Sequence, residues 1–136
     1  MANLAFHHFG LAVRQPEEAA AFLSALGYRL GEPHFDPNQN IHLILGIHDT
    51  QPPVEIIYPG PDEGPIDKWV RRHPSGVIYH LCYATENLEE ILAQWQASGL
   101  RVLCVSPPKP AVLFRGRKVS FYNVVGMGLV EILEMA

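Results

Sequence analysis

FHHFGLAVRQPEEAAAFLSALGYRL (Phe6–Leu30) and IYHLCYATENLEEILAQWQASGLRV (Ile78–Val102) are two versions of one segment, and their alignment decides how the chain folds. At an offset of 72 residues, His8 falls on His80, Ala12 on Ala84, Glu17 and Glu18 on Glu89 and Glu90, Gly27 on Gly99, and Arg29 on Arg101. A second match follows at an offset of 76, where VEII (Val54–Ile57) falls on VEIL (Val130–Leu133). The chain is therefore a duplicated unit in which each half brings one histidine and one glutamate. Two copies are too few for a solenoid. They are expected to form one pseudo-symmetric domain, with module one at 1–60, a linker helix at 61–75 and module two at 76–136.

Within each half the pattern reads strand, helix, then strands. Phe6–Val13 alternates, with Phe6, His8 and Gly10 on one face and His7, Phe9 and Leu11 on the other. Pro16 opens a helix whose first turn holds Glu17 and Glu18, as the helix dipole favours, and Gly27 ends it. Tyr28–Leu30, Ile41–Ile47 and Val54–Tyr58 complete the first half, with a Pro/Asn loop at Pro37–Asn40. Pro65–Arg72 is expected to be a short bridging helix with Ile66, Trp69 and Val70 on one side. The second half repeats the order with strand Val77–Ala84, helix Leu88–Ser98 and strand Arg101–Val105. A basic, proline-containing loop is expected over Ser106–Lys118, before strands Val119–Val124 and Leu129–Glu134.

The 136 residues are enough for one domain with a core, and a hydrophobic content of 48% with 18% charged residues is that of a globular chain. A net charge of −4 argues against a nucleic-acid partner. The N-terminus lacks a basic stretch followed by an apolar run, and no apolar run is long enough to span a bilayer, so a cytoplasmic protein is expected. Cys82 and Cys104 lack CxxC spacing and read as reduced thiols. No GxGxxG or Walker loop is present to support a nucleotide-cofactor fold.

His8, Glu55, His80 and Glu131 are the candidate metal ligands. Imidazole and carboxylate suit a divalent ion such as zinc, nickel, cobalt or manganese. A single glutamate inside an apolar strand ordinarily points to solvent. Here both the histidine and the glutamate coincide across two diverged halves, which favours a shared role. His7, next to His8, faces the opposite way. His34, His48 and His73 lie in or near loops, whereas His42 lies inside the third strand. Arg115, Arg117 and Lys118, with Lys109 nearby, form a basic cluster suited to an anionic substrate or to a solvated turn.

The repeat, the H-x-G opening at His8–Gly10, the VEII/VEIL pair and the length resemble the vicinal oxygen chelate superfamily over essentially the whole chain. The superfamily includes glyoxalase I, extradiol dioxygenases, and fosfomycin and bleomycin resistance proteins. The segment VEIIYPGPDEGPIDKWVRRHPSGVIYHLCY (Val54–Tyr83) and the opening HHFGLAV (His7–Val13) are similar to methylmalonyl-CoA epimerases. The resemblance implies an α+β fold of two βαβββ modules curled around a metal cup, with His8, Glu55, His80 and Glu131 as ligands. It implies an isomerase that removes the α-proton of an acyl-CoA thioester, and a homodimer. The same ligand set occurs in glyoxalase I, so a lyase acting on a hemithioacetal stays open. A non-catalytic binding or resistance protein also stays open, although it would not need four ligands. The epimerases place a carboxylate base on the third strand of the first module. Residues 37–48 hold no Asp or Glu, which leaves His42, Glu55 and Glu131 as the acid–base candidates.

Overall fold

The computed structural model describes residues 3–136. Its strands are β1 (Ala5–Ala12), β2 (Arg29–Leu30), β3 (His34–Asp36), β4 (Ile41–Ile47), β5 (Val54–Pro59), β6 (Val77–Thr85), β7 (Val102–Pro110), β8 (Lys118–Val124) and β9 (Gly128–Glu134). Its α-helices are α1 (Glu17–Ala25), α2 (Asp67–Arg72) and α3 (Leu88–Ala97). This is the α+β architecture that the sequence leads one to expect. The described residues form two compact units, one of His8–Tyr79 and one of His80–Ala136 together with residues 3–7.

In the first unit the strands run β2-β4-β5-β1, with β3 also paired to β4. The β1–β5 pairing is parallel and sets Gly10 opposite Glu55. The β4–β5 pairing is antiparallel and sets Leu45 opposite Glu55. Pro16 stands just before α1, its carbonyl accepting from Ala20 N–H at 2.8 Å. Gly27, at φ +100°, then turns the chain out of the helix, a conformation that residues with a Cβ rarely adopt. One face of this sheet packs Leu23 of α1 and Tyr28 against Ile44, Val54 and Ile56. By strand alternation Glu55 points to the other face.

The second unit runs β6-β9-β8-β7 with the same registers. The parallel β6–β9 pairing sets Cys82 opposite Glu131, and the antiparallel β8–β9 pairing sets Phe121 opposite Glu131. In both units, therefore, the glutamate lies opposite the residue two places after the histidine. Asn87 starts α3, its side-chain oxygen accepting from Glu90 N–H at 3.1 Å. Tyr122, Val130 and Ile132 pack with Leu88, Leu92 and Trp95 of α3 on one face. Cys82, Val119, Phe121 and Leu133 pack on Glu131's face, joined by Ala111 and Phe114.

Two strand expectations need correction. Ser106–Lys118 is not a loop, because β7 continues to Pro110, Lys118 opens β8, and only a short 3-10 turn at Val112–Phe114 lies between. Prolines 107 and 108 fit because β7 ends the strand order, where one side of the backbone needs no ladder partner. The register also shifts between Cys104 and Ser106 and again between Ser106 and Lys109. In the first unit, His34–Asp36 forms a strand between Pro33 and Pro37 that the sequence pattern did not reveal.

Candidate metal centre

Each unit positions its histidine and its glutamate on adjacent parallel strands, and each pair is buried. His8 is 0% exposed and Glu55 4%. His8 Nε2 and Glu55 Oε1 are 3.8 Å apart. His80 is 2% exposed and Glu131 3%, with His80 Nε2 lying 3.2 Å from Glu131 Oε1. Phe121, directly opposite Glu131, sets its ring edge-on to the His80 imidazole with centroids 5.5 Å apart. That contact limits the tilt of the ring.

The spacing within each pair suits an ion. Two donors each about 2.1 Å from one metal lie roughly 3.0–3.4 Å apart for right-angled to tetrahedral arrangements. The 3.2 Å pair falls inside that range and the 3.8 Å pair just beyond it. His8, Glu55, His80 and Glu131 are thus four buried donors of a kind that can hold a metal ion. The donor chemistry, two imidazoles and two carboxylates, fits a divalent first-row ion.

The remaining sequence candidates separate by strand register. Leu45 shares Glu55's face, so His42, three residues away on the regular strand β4, lies on the opposite face. Its ring stacks on Tyr58 at 4.9 Å and contacts Phe35 at 5.1 Å. Alternation thus sets His42 on the face of β4 opposite to the one that Leu45 shares with Glu55. Lys118 pairs with Pro110 and alternates away from Val119, which lies on Glu131's face, so it does not share that face. Arg115 and Arg117 sit at the exposed β7–β8 tip, Arg115 in the left-handed region at φ 56°. The tip is anchored, with Ala111 N–H donating to the Arg117 carbonyl at 2.9 Å and Ala111 and Phe114 packed on Glu131's face.

Asp36, His48, Tyr28 and Tyr122 have structural surroundings of their own. Asp36 is buried, yet its carboxylate accepts from Asn38 N–H and the Gln39 side chain and so caps the 37–40 turn. His48 bridges the Leu26 carbonyl and the backbone N–H groups of Thr50 and Gln51. Burial pushes the Tyr28 and Tyr122 phenols above their ordinary value, and both belong to the helix-facing clusters.

This geometry coincides with a family match. The model for the glyoxalase/bleomycin resistance protein/dioxygenase superfamily matches residues 7–121. The chain belongs to that superfamily. Among the relatives of this superfamily member, an ethylmalonyl-CoA/methylmalonyl-CoA epimerase from Cereibacter sphaeroides is 30% identical over 105 residues, 76% of this chain and 77% of the relative. The solved structure of methylmalonyl-CoA epimerase from Mycobacterium tuberculosis has a TM-score of 0.76 at 18% identity, covering 96% of this chain and 87% of that one. A variant of the Streptomyces coelicolor methylmalonyl-CoA epimerase in complex with 2-nitronate-propionyl-CoA has a TM-score of 0.73 at 19% identity, covering 96% and 97%. At these identities the two structures establish the likeness of fold.

Proposed function

We propose that this protein is a metal-dependent acyl-CoA epimerase, in which His8, Glu55, His80 and Glu131 together hold one divalent ion. The observation that carries this reading is the duplicated buried pair. The same two residue types occur in the same register in both units, each with imidazole Nε2 toward the carboxylate. The 30% identical Cereibacter relative, named as an ethylmalonyl-CoA/methylmalonyl-CoA epimerase, supports the substrate class. No helix among the described residues is long and apolar enough to cross a membrane.

When bound, a divalent ion supplies the positive charge that lowers the cost of developing an enolate next to a thioester carbonyl. The chain's own residues handle the proton. The C–H bond adjacent to the thioester breaks, its electron pair delocalises into the carbonyl, and a carboxylate oxygen receives the proton. Return of a proton to the opposite face completes the inversion. With His42 turned away, Glu55 from one unit and Glu131 from the other are the carboxylates for these two transfers, each worth about 10²–10⁴ in rate. In this reading Arg115 and Arg117 of the anchored tip serve the phosphates of a CoA ester.

The test combines metal analysis with a solvent-deuterium exchange screen on the purified protein. The expected result is about one divalent ion per chain and deuterium uptake at the α-carbon of a malonyl-type CoA thioester. Conversion of hemithioacetals without thioester exchange would instead select the glyoxalase-type lyase. A protein that stays metal-free after dialysis against zinc, nickel, cobalt and manganese would remove both.

A further inference from the structure

The irregularity of β7 has a chemical consequence. From Ser106, which pairs with Phe121, a regular strand would set Lys109 opposite Lys118, on the face away from Glu131. The register shift at Pro107–Pro108 instead sets Lys109 opposite Val119. Val119 in turn pairs with Leu133, and Phe121 pairs with Glu131, so Lys109 is aimed to Glu131's face. A bulge that re-aims a side chain beside a site is a recurrent device. It also separates two lysines that would repel each other across the ladder. Of the two cationic residues on the strands of this unit, Lys109 is the one placed on the face of the buried carboxylate, and it is exposed.

We propose that Lys109 recognises the free carboxylate of the substrate's acyl group and so selects malonyl-type thioesters. The inference rests on the thioester reading above. Lys109 lies two strands across and two residues along from Glu131, which places their backbones about 12 Å apart. The four-carbon stem of a lysine spans about half of that distance. Its ammonium therefore meets a ligand held at Glu131 within the first few atoms of the acyl group. The CoA phosphates are a whole pantetheine arm further away and fall to the Arg115–Arg117 tip. The acyl carboxylate is the anionic group at the right reach.

The metal-loaded full chain, its Lys109→Met and its Lys109→Arg variants are compared in α-deuterium exchange on two substrates. One is a methylmalonyl-CoA thioester and the other the same acyl group on N-acetylcysteamine, which carries no phosphate. K109M should raise KM by about 10–100-fold on both substrates, the size of a hydrogen bond to a charged group. Metal content should be unchanged, and K109R should recover most of the loss. A defect confined to the CoA ester would assign Lys109 to phosphate, and no defect on either would assign it to solvent; both results overturn the proposal. If the wild type exchanges no thioester at all, the function reading has failed, and Lys109 is then judged by calorimetric titration with methylmalonate itself. Weaker binding to K109M than to wild type upholds the proposal, and equal or undetectable binding overturns it.

Discussion

Replacing Glu131 with Gln should remove metal-induced stabilisation while leaving the metal-free protein at least as stable as the wild type. Glu131 is 3% exposed, with Oε1 3.2 Å from His80 Nε2. Gln keeps its shape and one carbonyl oxygen but carries no charge. Without metal, a buried carboxylate pays a desolvation penalty that a neutral amide largely avoids. With free metal at about 100 times Kd, the wild type gains about 2.7 kcal/mol. For 136 residues, at about 2.1 cal/mol/K of unfolding entropy per residue, that corresponds to a rise in Tm of roughly 9 °C. Outer partners of metal ligands alone are worth about 10–100-fold in affinity, so loss of an anionic donor is taken as about hundredfold. At the same metal concentration the variant would then gain only about 0.4 kcal/mol, a rise of roughly 1.4 °C. Calorimetric melts of chelator-treated and metal-loaded protein measure both quantities, and Glu55→Gln provides the twin experiment. A variant that keeps the full metal-induced rise would refute Glu131 as a ligand. A metal-free variant that melts several degrees lower would show that the carboxylate is there to hold the fold.

His42→Ala should keep α-proton exchange within about threefold of wild type, because a group facing away from Glu55 forfeits none of the 10²–10⁴ that a general acid or base supplies; steady-state exchange rates decide it. Reversing Arg115 and Arg117 to Glu should raise KM for a CoA ester more than it lowers kcat and should flatten the salt dependence of binding. Unchanged KM at low and high salt would return the tip to solvated surface. Asn87→Ala removes the 3.1 Å bond to Glu90 N–H at the start of α3 and should cost about 1 kcal/mol in chemical denaturation, with metal content untouched.

The elements that the sequence made legible are those whose pattern is local. Ile41–Ile47 is an apolar run broken only by His42 and Gly46, and the structure has a strand over the same span. His34–Asp36 escaped notice because three residues between two prolines carry no measurable period; their pairing with Leu43, His42 and Ile41 supplies the strand. Pro107 and Pro108 read as breakers, but an edge strand tolerates them by bulging. The candidate ligands stood out because duplication supplied an internal comparison. The direction of His42 did not, because alternation assigns faces only relative to an anchor, and the anchor is the Leu45–Glu55 pairing.

The change of offset from 72 to 76 acquires a physical meaning in the structure. The first strand of each unit obeys the first offset, and the β4–β5 and β8–β9 hairpins obey the second, since Leu45 opposite Glu55 corresponds to Phe121 opposite Glu131. The four additional residues of the second half fall between those parts, in the bulged strand β7 and the tip that follows it. The parts that match between the units are the strands carrying His8, Glu55, His80 and Glu131. The part that differs in length carries Lys109, Arg115 and Arg117, where the first unit has β3 and the 37–40 turn. Duplication can multiply a ligand, but a cationic group must meet one particular anion of an asymmetric substrate, and two copies of it in equivalent places would not. An irregular segment whose length differs between the halves is where such a group can be added without disturbing the register of the buried pairs.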